Sequence, residues 1–263
     1  MVSREDFFDF SYFFGSWILV LVSYLFMVHV NNILFIDIET VSQHDRLDAA
    51  PEEWQKLWQT KAEGLMRYHA DSDAASLYNR AAIYAEFGKI ICISCGVIQG
   101  NGAEKKLIIK SFCCEEEKDL LQQFSDMLCK WAPDNTRFLC AHNGKEFDFP
   151  YLCRRLIIHK IKLPHCLNIS GRRPWEIPHL DTMELWKFGD YKNFTSLNLL
   201  ARTLGIPTPK DDIDGSMVGD VYWKEKNLDR IVTYCQKDVV TVAQVFLRLQ
   251  GEELIKEENV ELK

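Results

Sequence analysis

An apolar run near the amino end, LFIDIET, carries two acids, Asp37 and Glu39, that are separated by one residue. Side chains alternate along an extended chain, so both carboxylates would lie on the same face of a strand. Two unpaired carboxylates on such a strand would repel each other and lose hydration, a cost that a hard divalent cation would relieve. The segment alone leaves two interpretations open: half of a metal site, or the end of an edge strand in solvent.

Composition limits the number of domains and the kind of partner. The chain has 263 residues, of which 47% are hydrophobic, and this favours one large domain with a sizeable core. A net charge of −7 argues against broad, sequence-independent coating of DNA or RNA, which needs many phosphate contacts from Lys and Arg. A small site in which metal ions meet one or two phosphates remains compatible with this charge.

The cysteines indicate a reducing compartment. Nine of them are scattered through apolar segments without the paired spacing of zinc ligands. Cys92 and Cys95 form one C-x-x-C, but it lies inside a predicted strand rather than at the start of a helix, which disfavours a redox or zinc role. We therefore expect a cytoplasmic location, or a membrane-anchored one if residues 10–30 are translated.

The amino end contains a stretch, Phe10–Val30, without Asp, Glu, Lys or Arg, and it is about long enough to cross a bilayer. Only Asn31 and Asn32 separate it from the strand that carries Asp37, and the flanking charges specify neither a topology nor a cleavable signal. Our hypothesis is that Met27 is the native start, which mass spectrometry of the endogenous terminus would test. The expected organisation is a hydrophobic leader over 1–30, one domain over 31–250 and a charged tail over 251–263.

The order of elements predicts a mixed sheet. The runs KIICISCGVI and EKKLIIKSF flank a turn at Asn101 and Gly102, so three antiparallel strands open the fold. After them we expect a helix over EEEKDLLQQFSDMLCKW, a strand at RFLCAHN, and helices over about 147–159, 195–205 and NLDRIVTYCQKDVVTVAQVFLRLQ. Strands that then alternate with helices predict an α/β domain whose central sheet carries helices on its faces.

The segment 41–80 interrupts this order after the first strand. Trp54, Leu57 and Trp58 recur there at helical spacing. This predicts an inserted helix, whose aromatic stripe is either an ordinary packing surface, the more frequent meaning, or a lid over a cleft.

Two more acids and a tyrosine recur in suggestive contexts. Asp148 stands in HNGKEFDFPYL, where a strand gives way to a helix, and Asp238 follows Tyr234 by four residues on the last helix, so those two side chains share a helical face. Each has an ordinary alternative: Asp148 as a helix cap, and Tyr234 with Asp238 as a hydrogen-bonded surface pair. Their order and contexts together are less easily accidental.

The set D-x-E, N-x-x-x-F-D and Y-x-x-x-D resembles the DEDDy branch of the DnaQ-like 3′–5′ exonucleases. It is most similar to the predicted exonucleases related to the proofreading domain of family B DNA polymerases, and the resemblance extends from about residue 32 to 249 through LDTMELWKF, SLNLLARTLGIP and DIDGSMVGDVYW. It implies a ribonuclease H-like fold and metal-dependent removal of nucleotides from the 3′ end of single-stranded DNA, with nucleoside 5′-monophosphates as products.

The resemblance, together with the chemistry of phosphodiester hydrolysis, assigns a role to each side chain. Two Mg²⁺ or Mn²⁺ ions about 3.5–4 Å apart can activate water, neutralise phosphate charge and stabilise the leaving 3′-oxygen. Asp37 is assigned to both ions, Glu39 and Asp238 to the ion that carries the attacking water, and Asp148 to the other. Tyr234 would orient the water, because a phenol with a pKa of about 10 stays protonated at neutral pH.

Neighbouring residues receive further roles. Asn143 and Phe147 are assigned to substrate binding, although Asn143 could equally brace the first strand. His142 is expected to be structural, and Asp181 to cap a helix rather than to extend the metal shell.

The segment from Tyr151 to Trp175 carries six Lys or Arg residues, among them Arg154, Arg155, Arg172 and Arg173, and no acid. It either tracks a phosphate backbone or is a solvated basic face.

Two other functions stay open. The same metal chemistry would serve a 3′–5′ exoribonuclease, because the choice depends on contacts with the 2′-hydroxyl. A nucleic-acid-binding or polymerase-accessory module could also keep the fold without catalysis. The expected partner is a nucleic acid 3′ end, with a polymerase or repair protein acting in trans as a further possibility that fold-level analogy cannot decide.

Overall fold

A six-stranded mixed sheet forms the centre of the computed structural model, which describes residues 28–68, 72–190, 192, 194–207 and 212–263. The strands are, in chain order, β1 (Ile33–Ser42), β2 (Gly88–Gln99), β3 (Lys106–Phe112), β4 (Phe138–Ala141), β5 (Leu180–Asp181) and β6 (Val260–Leu262). Across the sheet they are arranged as β5-β4-β1-β2-β3-β6.

Strand directions confirm the predicted α/β, ribonuclease H-like class. β1, β2 and β3 are consecutive antiparallel neighbours, while β4 runs parallel to β1 and β5 runs parallel to β4. This is the expected set of three antiparallel strands followed by parallel ones. Parallel neighbours align their carboxyl ends at one edge, so residues at or after the ends of β1, β4 and β5 are brought together there.

The carboxyl-terminal segment is more than a charged tail, because it contains a strand that sequence reasoning missed. β6 pairs parallel with β3, where Val260 lies opposite Leu107, and Lys106 forms an ion pair of 2.7 Å with Glu261. A strand of three residues is too short to show an alternation of its own. Its hydrogen bonds come from a partner about 150 residues earlier in the chain, and only the fold provides that partner.

Seven α-helices surround this sheet in the described residues. They are α1 (Glu52–Met66), α2 (Glu117–Trp131), α3 (Asp148–Ile158), α4 (Thr182–Lys187), α5 (Leu197–Thr203), α6 (Val218–Asp220) and α7 (Leu228–Leu249). A π-helical turn, Val221–Glu225, continues α6. The predicted stop after α5 is confirmed, since Gly205 has a φ of 65°, a left-handed conformation that glycine adopts without steric cost.

Helices cover both faces of the sheet. α7 packs on one face, where Phe35 of β1 meets Phe246 edge-on with ring centroids 5.7 Å apart. α2 and α3 pack on the other face, where Leu34 joins a core with Phe124 and Leu152. Because Asp37 follows Phe35 by two residues, the alternation of the strand directs its side chain towards α7.

The aromatic stripe of the insert is a packing surface. Trp58 is fully buried, its indole N–H donates a 2.7 Å hydrogen bond to the Ala74 carbonyl, and its ring meets Phe87 at 5.2 Å. Trp54 also contacts Phe87 but keeps 40% of its surface exposed. Contacts of this kind pack α1 within the segment from Leu47 to Phe87, as the packing interpretation predicts, although Leu57 is 49% exposed.

Within the described residues, no helix has both the length and the apolar character needed to cross a bilayer. Most of the stretch considered above as a membrane segment, together with the hypothesis that Met27 is the native start, falls on residues 1–27, outside the described part of the chain. Val30 is described, is buried, and packs in the core beneath α7.

Candidate active site

Asp37 and Glu39 lie side by side on the α7 face of β1. Asp37 is opposite Ser94 and Glu39 is opposite Cys92 on β2. The pairing register shifts between Glu39 and Thr40, so the regular ladder is interrupted directly after the second acid. Glu39 is 8% exposed, and neither acid therefore lies in open solvent at a strand end.

Asp148 is brought to the same place by the start of α3. Its side chain is 4% exposed, and its carboxylate accepts a hydrogen bond from the backbone N–H of Ile38, the residue between the two acids of β1. This hydrogen bond ties the Asp148 carboxylate to the backbone of β1.

Tyr234 and Asp238 lie on α7, the helix that packs on the face of β1 carrying Asp37. One helical turn separates them, and the phenol of Tyr234 forms a hydrogen bond with Asp238. The thiol of Cys235 donates to the backbone carbonyl of Asp37 over 3.4 Å, which fastens this turn of α7 to β1. All four predicted acids and the tyrosine are therefore gathered in one cluster.

Burial and mutual repulsion dominate the electrostatics of this cluster. Burial, followed by the charges of Glu39, Asp238 and Asp148, raises the pKa of Asp37 well above its ordinary value. Burial and then Asp238 raise the pKa of Glu39 in the same way, and burial raises the pKa of Asp148 to about 7. The charges that act on Asp37 are all carboxylates, so their ionised forms need a cation.

The pKa of the Tyr234 phenol is also raised. Burial first, and then the negative charge of Asp238, raises its pKa above the ordinary value. The group is therefore protonated at neutral pH and can donate a hydrogen bond.

The arrangement fits bound divalent cations. The Oδ2 atom of Asp37 is enclosed and has no hydrogen-bond partner among the described residues, although the residue as a whole is half-buried. One ligand atom from each of Asp37, Glu39 and Cys235 lies within 4.8 Å of the other two. An enclosed carboxylate oxygen without a donor is costly, and a cation between carboxylates removes that cost.

The loop between β4 and α3 has a demanding backbone. Asn143 adopts a left-handed conformation, with a φ of 63°, and its Oδ1 atom is enclosed without a partner among the described residues. At Gly144 a Cβ atom would lie 2.4 Å from the Cβ of Ala141, so only glycine fits. This tight turn places Asp148 at the amino end of α3.

Phe147 takes part in packing as well as lying beside the site. Its half-buried ring meets that of Tyr151 with centroids 5.4 Å apart, next to the core of α2 and α3. This contact orients the ring, and a role in substrate binding stays a prediction.

His142 and Asp181 have the structural roles expected of them. The two ring nitrogens of His142 pair with the Thr182 hydroxyl at 2.9 Å and the Thr195 carbonyl at 2.8 Å, and burial lowers its pKa. Asp181 is the N-cap of α4 and accepts from the backbone N–H groups of Met183 and Glu184 at 3.0 and 3.3 Å.

One member of the predicted basic segment is misassigned. Arg155 is 3% exposed, and its guanidinium forms a two-pronged ion pair with Glu117 at the start of α2, with a 2.8 Å bond from Nε to Oε1. It cannot contact a phosphate backbone. Arg172 and Arg173 are exposed, and Arg173 lies 5.5 Å from the ring centre of Trp175, which is 66% exposed.

Sequence reasoning missed Cys235. It precedes Asp238 by three residues on α7, a spacing that places the two side chains on neighbouring parts of one helical face. This spacing was the available signal, but a buried cysteine in an apolar helix is ordinarily a core residue.

A family described as a predicted 3′–5′ exonuclease related to the exonuclease domain of PolB matches residues 82–259 of this chain. The match begins where the insert ends, so β1 with Asp37 and Glu39 lies before it. The fold adds these two acids to the matched region.

A DNA polymerase of Pyrococcus glycovorans is 25% identical over 182 residues, covering 63% of this chain and 23% of the polymerase. Among solved structures, a family B DNA polymerase of Pyrobaculum calidifontis has a TM-score of 0.45 and 15% identity, over 82% of this chain and 24% of that one. The RNase domain of the yeast Pop2 protein has a TM-score of 0.42 and 14% identity, over 89% and 82% of the two chains. The chain spans about a quarter of the length of these polymerases.

Proposed function

The chain belongs to the family of predicted 3′–5′ exonucleases related to the exonuclease domain of PolB, and from this membership we propose its reaction. It hydrolyses phosphodiester bonds at the 3′ end of single-stranded DNA, with two Mg²⁺ or Mn²⁺ ions, and releases nucleoside 5′-monophosphates. One observation carries the proposal. Acids from three elements, β1, α3 and α7, form one cluster, in which the Oδ2 atom of Asp37 has no hydrogen-bond partner among the described residues; the acids are Asp37, Glu39, Asp148 and Asp238. In this proposal the four acids form a DEDDy set, with Tyr234 as its tyrosine.

The carboxylates hold the cations in this proposal. Asp37 lies centrally, since the charges of the other three acids all act on it. Glu39 and Asp238 would hold one ion with it, and Asp148 the other. When bound, two such ions supply an activated water, neutralise phosphate charge and stabilise the leaving 3′-oxygen.

Tyr234 orients the attacking water. Its phenol keeps its proton, because burial and the charge of Asp238 raise its pKa. A protonated hydroxyl held by Asp238 can position a water molecule but is a poor base for removing its proton.

The substrate strand would reach the site past the tight loop and the exposed aromatic residues. Asn143, which is half-buried in this loop, would contact the terminal nucleotide. Trp175, with Arg173 against it, offers a base-stacking surface and a positive charge. A small number of such contacts is compatible with a net charge of −7.

The cellular setting belongs to the same proposal. A DNA polymerase or repair assembly that works in trans is the partner class in keeping with the polymerase relative. Nine free thiols are in keeping with the reducing cytoplasm.

The test is a nuclease assay on the full chain with 5′-labelled and 3′-labelled single-stranded DNA and RNA. We expect a ladder that shortens from the 3′ end of DNA, requires Mg²⁺ or Mn²⁺, and is abolished by chelator. Asp148→Asn should abolish it, whereas Glu146→Gln, an acid-to-amide change at an exposed position two residues earlier, should not.

Two outcomes would replace the proposal. Faster cleavage of RNA than of DNA would identify an exoribonuclease. Binding of DNA without cleavage in either metal would identify an accessory module.

A further inference from the structure

The thiol of Cys235 lies where the apolar cluster of α7 meets the acidic cluster of β1. Its Sγ atom and one carboxylate oxygen from each of Asp37 and Glu39 are mutually within 4.8 Å. The side chain is fully buried, and its hydrogen bond to the Asp37 carbonyl aims the sulfur at β1.

This position combines apolar packing with contact to charged groups. Ile231 and Val239, one turn before and after Cys235 on α7, are buried among apolar side chains. Cys235, on the same face, packs with Ile231 in an apolar cluster and in addition meets two carboxylates of β1. An aliphatic side chain there would fill the same space but would offer no ligand atom to a cation.

The Cys235 side chain is a hydrogen-bond partner of the Asp37 carboxylate, but the two acids are otherwise short of donors among the described residues. Glu39 is 8% exposed, and no hydrogen bond to its carboxylate is made by the described residues. The enclosed Oδ2 of Asp37 has no partner among the same residues. One oxygen from each of these acids and the Cys235 sulfur therefore form a set of three candidate ligand atoms for a cation.

We propose that Cys235 is a cation ligand together with Asp37 and Glu39, and that this position binds thiophilic divalent cations, such as Zn²⁺ or Cd²⁺, in preference to Mg²⁺. A tetrahedral zinc site has Zn–S bonds of about 2.3 Å and Zn–O bonds of about 2.1 Å. On binding, the S–H bond breaks, its proton leaves to solvent, and the sulfur bonds to the cation without any change of oxidation state.

The consequence is a preference that the carboxylates alone would not produce. Thiolate ligands favour soft and borderline cations, whereas Mg²⁺ and Mn²⁺ take their affinity from hard oxygen ligands. A thiophilic cation therefore competes with Mg²⁺ for one of the two ion positions. The inference rests on the proposed function, because it concerns the same site.

A neighbouring thiol provides a matched control. Cys92 on β2 is equally buried and forms a hydrogen bond with Cys235, yet it is outside the set of three ligand atoms. Cys92→Ser therefore makes the same chemical change at a thiol outside the proposed ligand set.

The experiment is a Cd²⁺ titration of the full chain, followed by the ultraviolet charge-transfer absorption of a Cd²⁺–thiolate bond. Cys113, Cys114, Cys129 and Cys153, which are not buried, are first replaced by serine so that they do not bind the probe. In this background we expect one Cd²⁺ per chain, with a band that Cys235→Ser removes and Cys92→Ser retains.

Affinities add a second readout. Cys235→Ser should weaken Cd²⁺ binding by about tenfold or more and change Mn²⁺ binding, followed by electron paramagnetic resonance, by less than about threefold. Cadmium NMR of the Cys235-containing background protein reports the sulfur ligand directly, so the test does not depend on the folding of a variant.

The outcomes separate this inference from the proposed function. A Cd²⁺ signal that shows only oxygen ligands, or a band that survives in Cys235→Ser, overturns the inference and leaves the nuclease proposal standing. A Cys235-dependent band in a protein that cleaves no nucleic acid supports the inference and sinks the nuclease proposal. If Asp37→Asn changes the affinity for neither Cd²⁺ nor Mn²⁺, both are wrong.

Discussion

The backbone N–H of Asn143 donates a 2.9 Å hydrogen bond to the Oδ1 atom of Asp181, the residue that caps α4. The other carboxylate oxygen accepts from the backbone N–H of Lys145 at 3.1 Å. One acid therefore fixes both the start of α4 and the loop that leads into α3. Asp181 also raises the pKa of Asp148 through its charge, after the larger effect of burial.

Asp181→Ala is expected to act through position rather than through metal loss. Losing the cap should lower the free energy of unfolding by about 1–2 kcal/mol. Displacing the loop before Asp148 should lower the single-turnover rate by about tenfold or more, because small misplacements in an active site are costly. Urea unfolding and Mn²⁺ binding measure the two effects separately.

Asp134→Ala is the matched control for this change. Asp134 accepts from Thr136 in an exposed turn away from the site, and its loss should leave the single-turnover rate unchanged. If Asp181→Ala abolishes Mn²⁺ binding, Asp181 is a ligand and not only a cap.

The stability of the metal-free protein should depend on pH through Asp148. Its pKa is about 7 in the folded protein, against about 3.9 in an unfolded chain. Between these values the folded protein keeps a proton that the unfolded chain has released. The free energy of unfolding should therefore fall as pH rises from 4 to 7, by on the order of 3 kcal/mol from this group.

Asp148→Asn removes that titration. In chelator, the variant should lose less stability between pH 4 and pH 7 than the parent protein, as followed by urea unfolding at several pH values. A slope equal to that of the parent would show that Asp148 is not the group responsible.

Tyr234→Phe should lower turnover far more than metal affinity. The change removes only the hydroxyl, which hydrogen-bonds to Asp238 and is proposed to orient the water. We expect a loss of about 10²-fold or more in kcat with nearly unchanged Mn²⁺ binding. Tyr222→Phe, on the π-helical turn, is a control for loss of a phenol. Loss of Mn²⁺ binding in the Tyr234 variant would disprove the positioning role.

The insert should respond to substitution as a packing unit. Trp58 is fully buried and hydrogen-bonded to Ala74, so Trp58→Ala should cost about 3–5 kcal/mol of stability. Trp54→Ala, at a partly exposed position on the same helix, should cost clearly less. Thermal unfolding and steady-state kinetics are measured on both variants. If Trp54→Ala raises KM without loss of stability, the helix acts as a lid and not as a packing unit.

Local patterns were sufficient wherever one element decided the outcome. The alternation in LFIDIET placed Asp37 and Glu39 on one face of a strand, and the spacing of Tyr234 and Asp238 placed them on one face of a helix. These relationships follow from the fixed periods of strands and helices, which the residue order specifies.

Contacts between distant segments needed the fold. The residue order groups Arg155 with a basic segment, because its partner, Glu117, lies on another helix. The pairing of Val260 with Leu107 is likewise invisible in the residue order, because a three-residue strand shows no alternation of its own.

The residue order by itself determined which acids exist, on which elements they lie, and in which direction each element turns them. Only the tertiary structure decided that α7 presses Cys235 against β1 and that Asp181 holds the loop before Asp148. The physical reason is that periodicity acts over a few residues, whereas the proximity of two distant side chains depends on how the whole hydrophobic core packs.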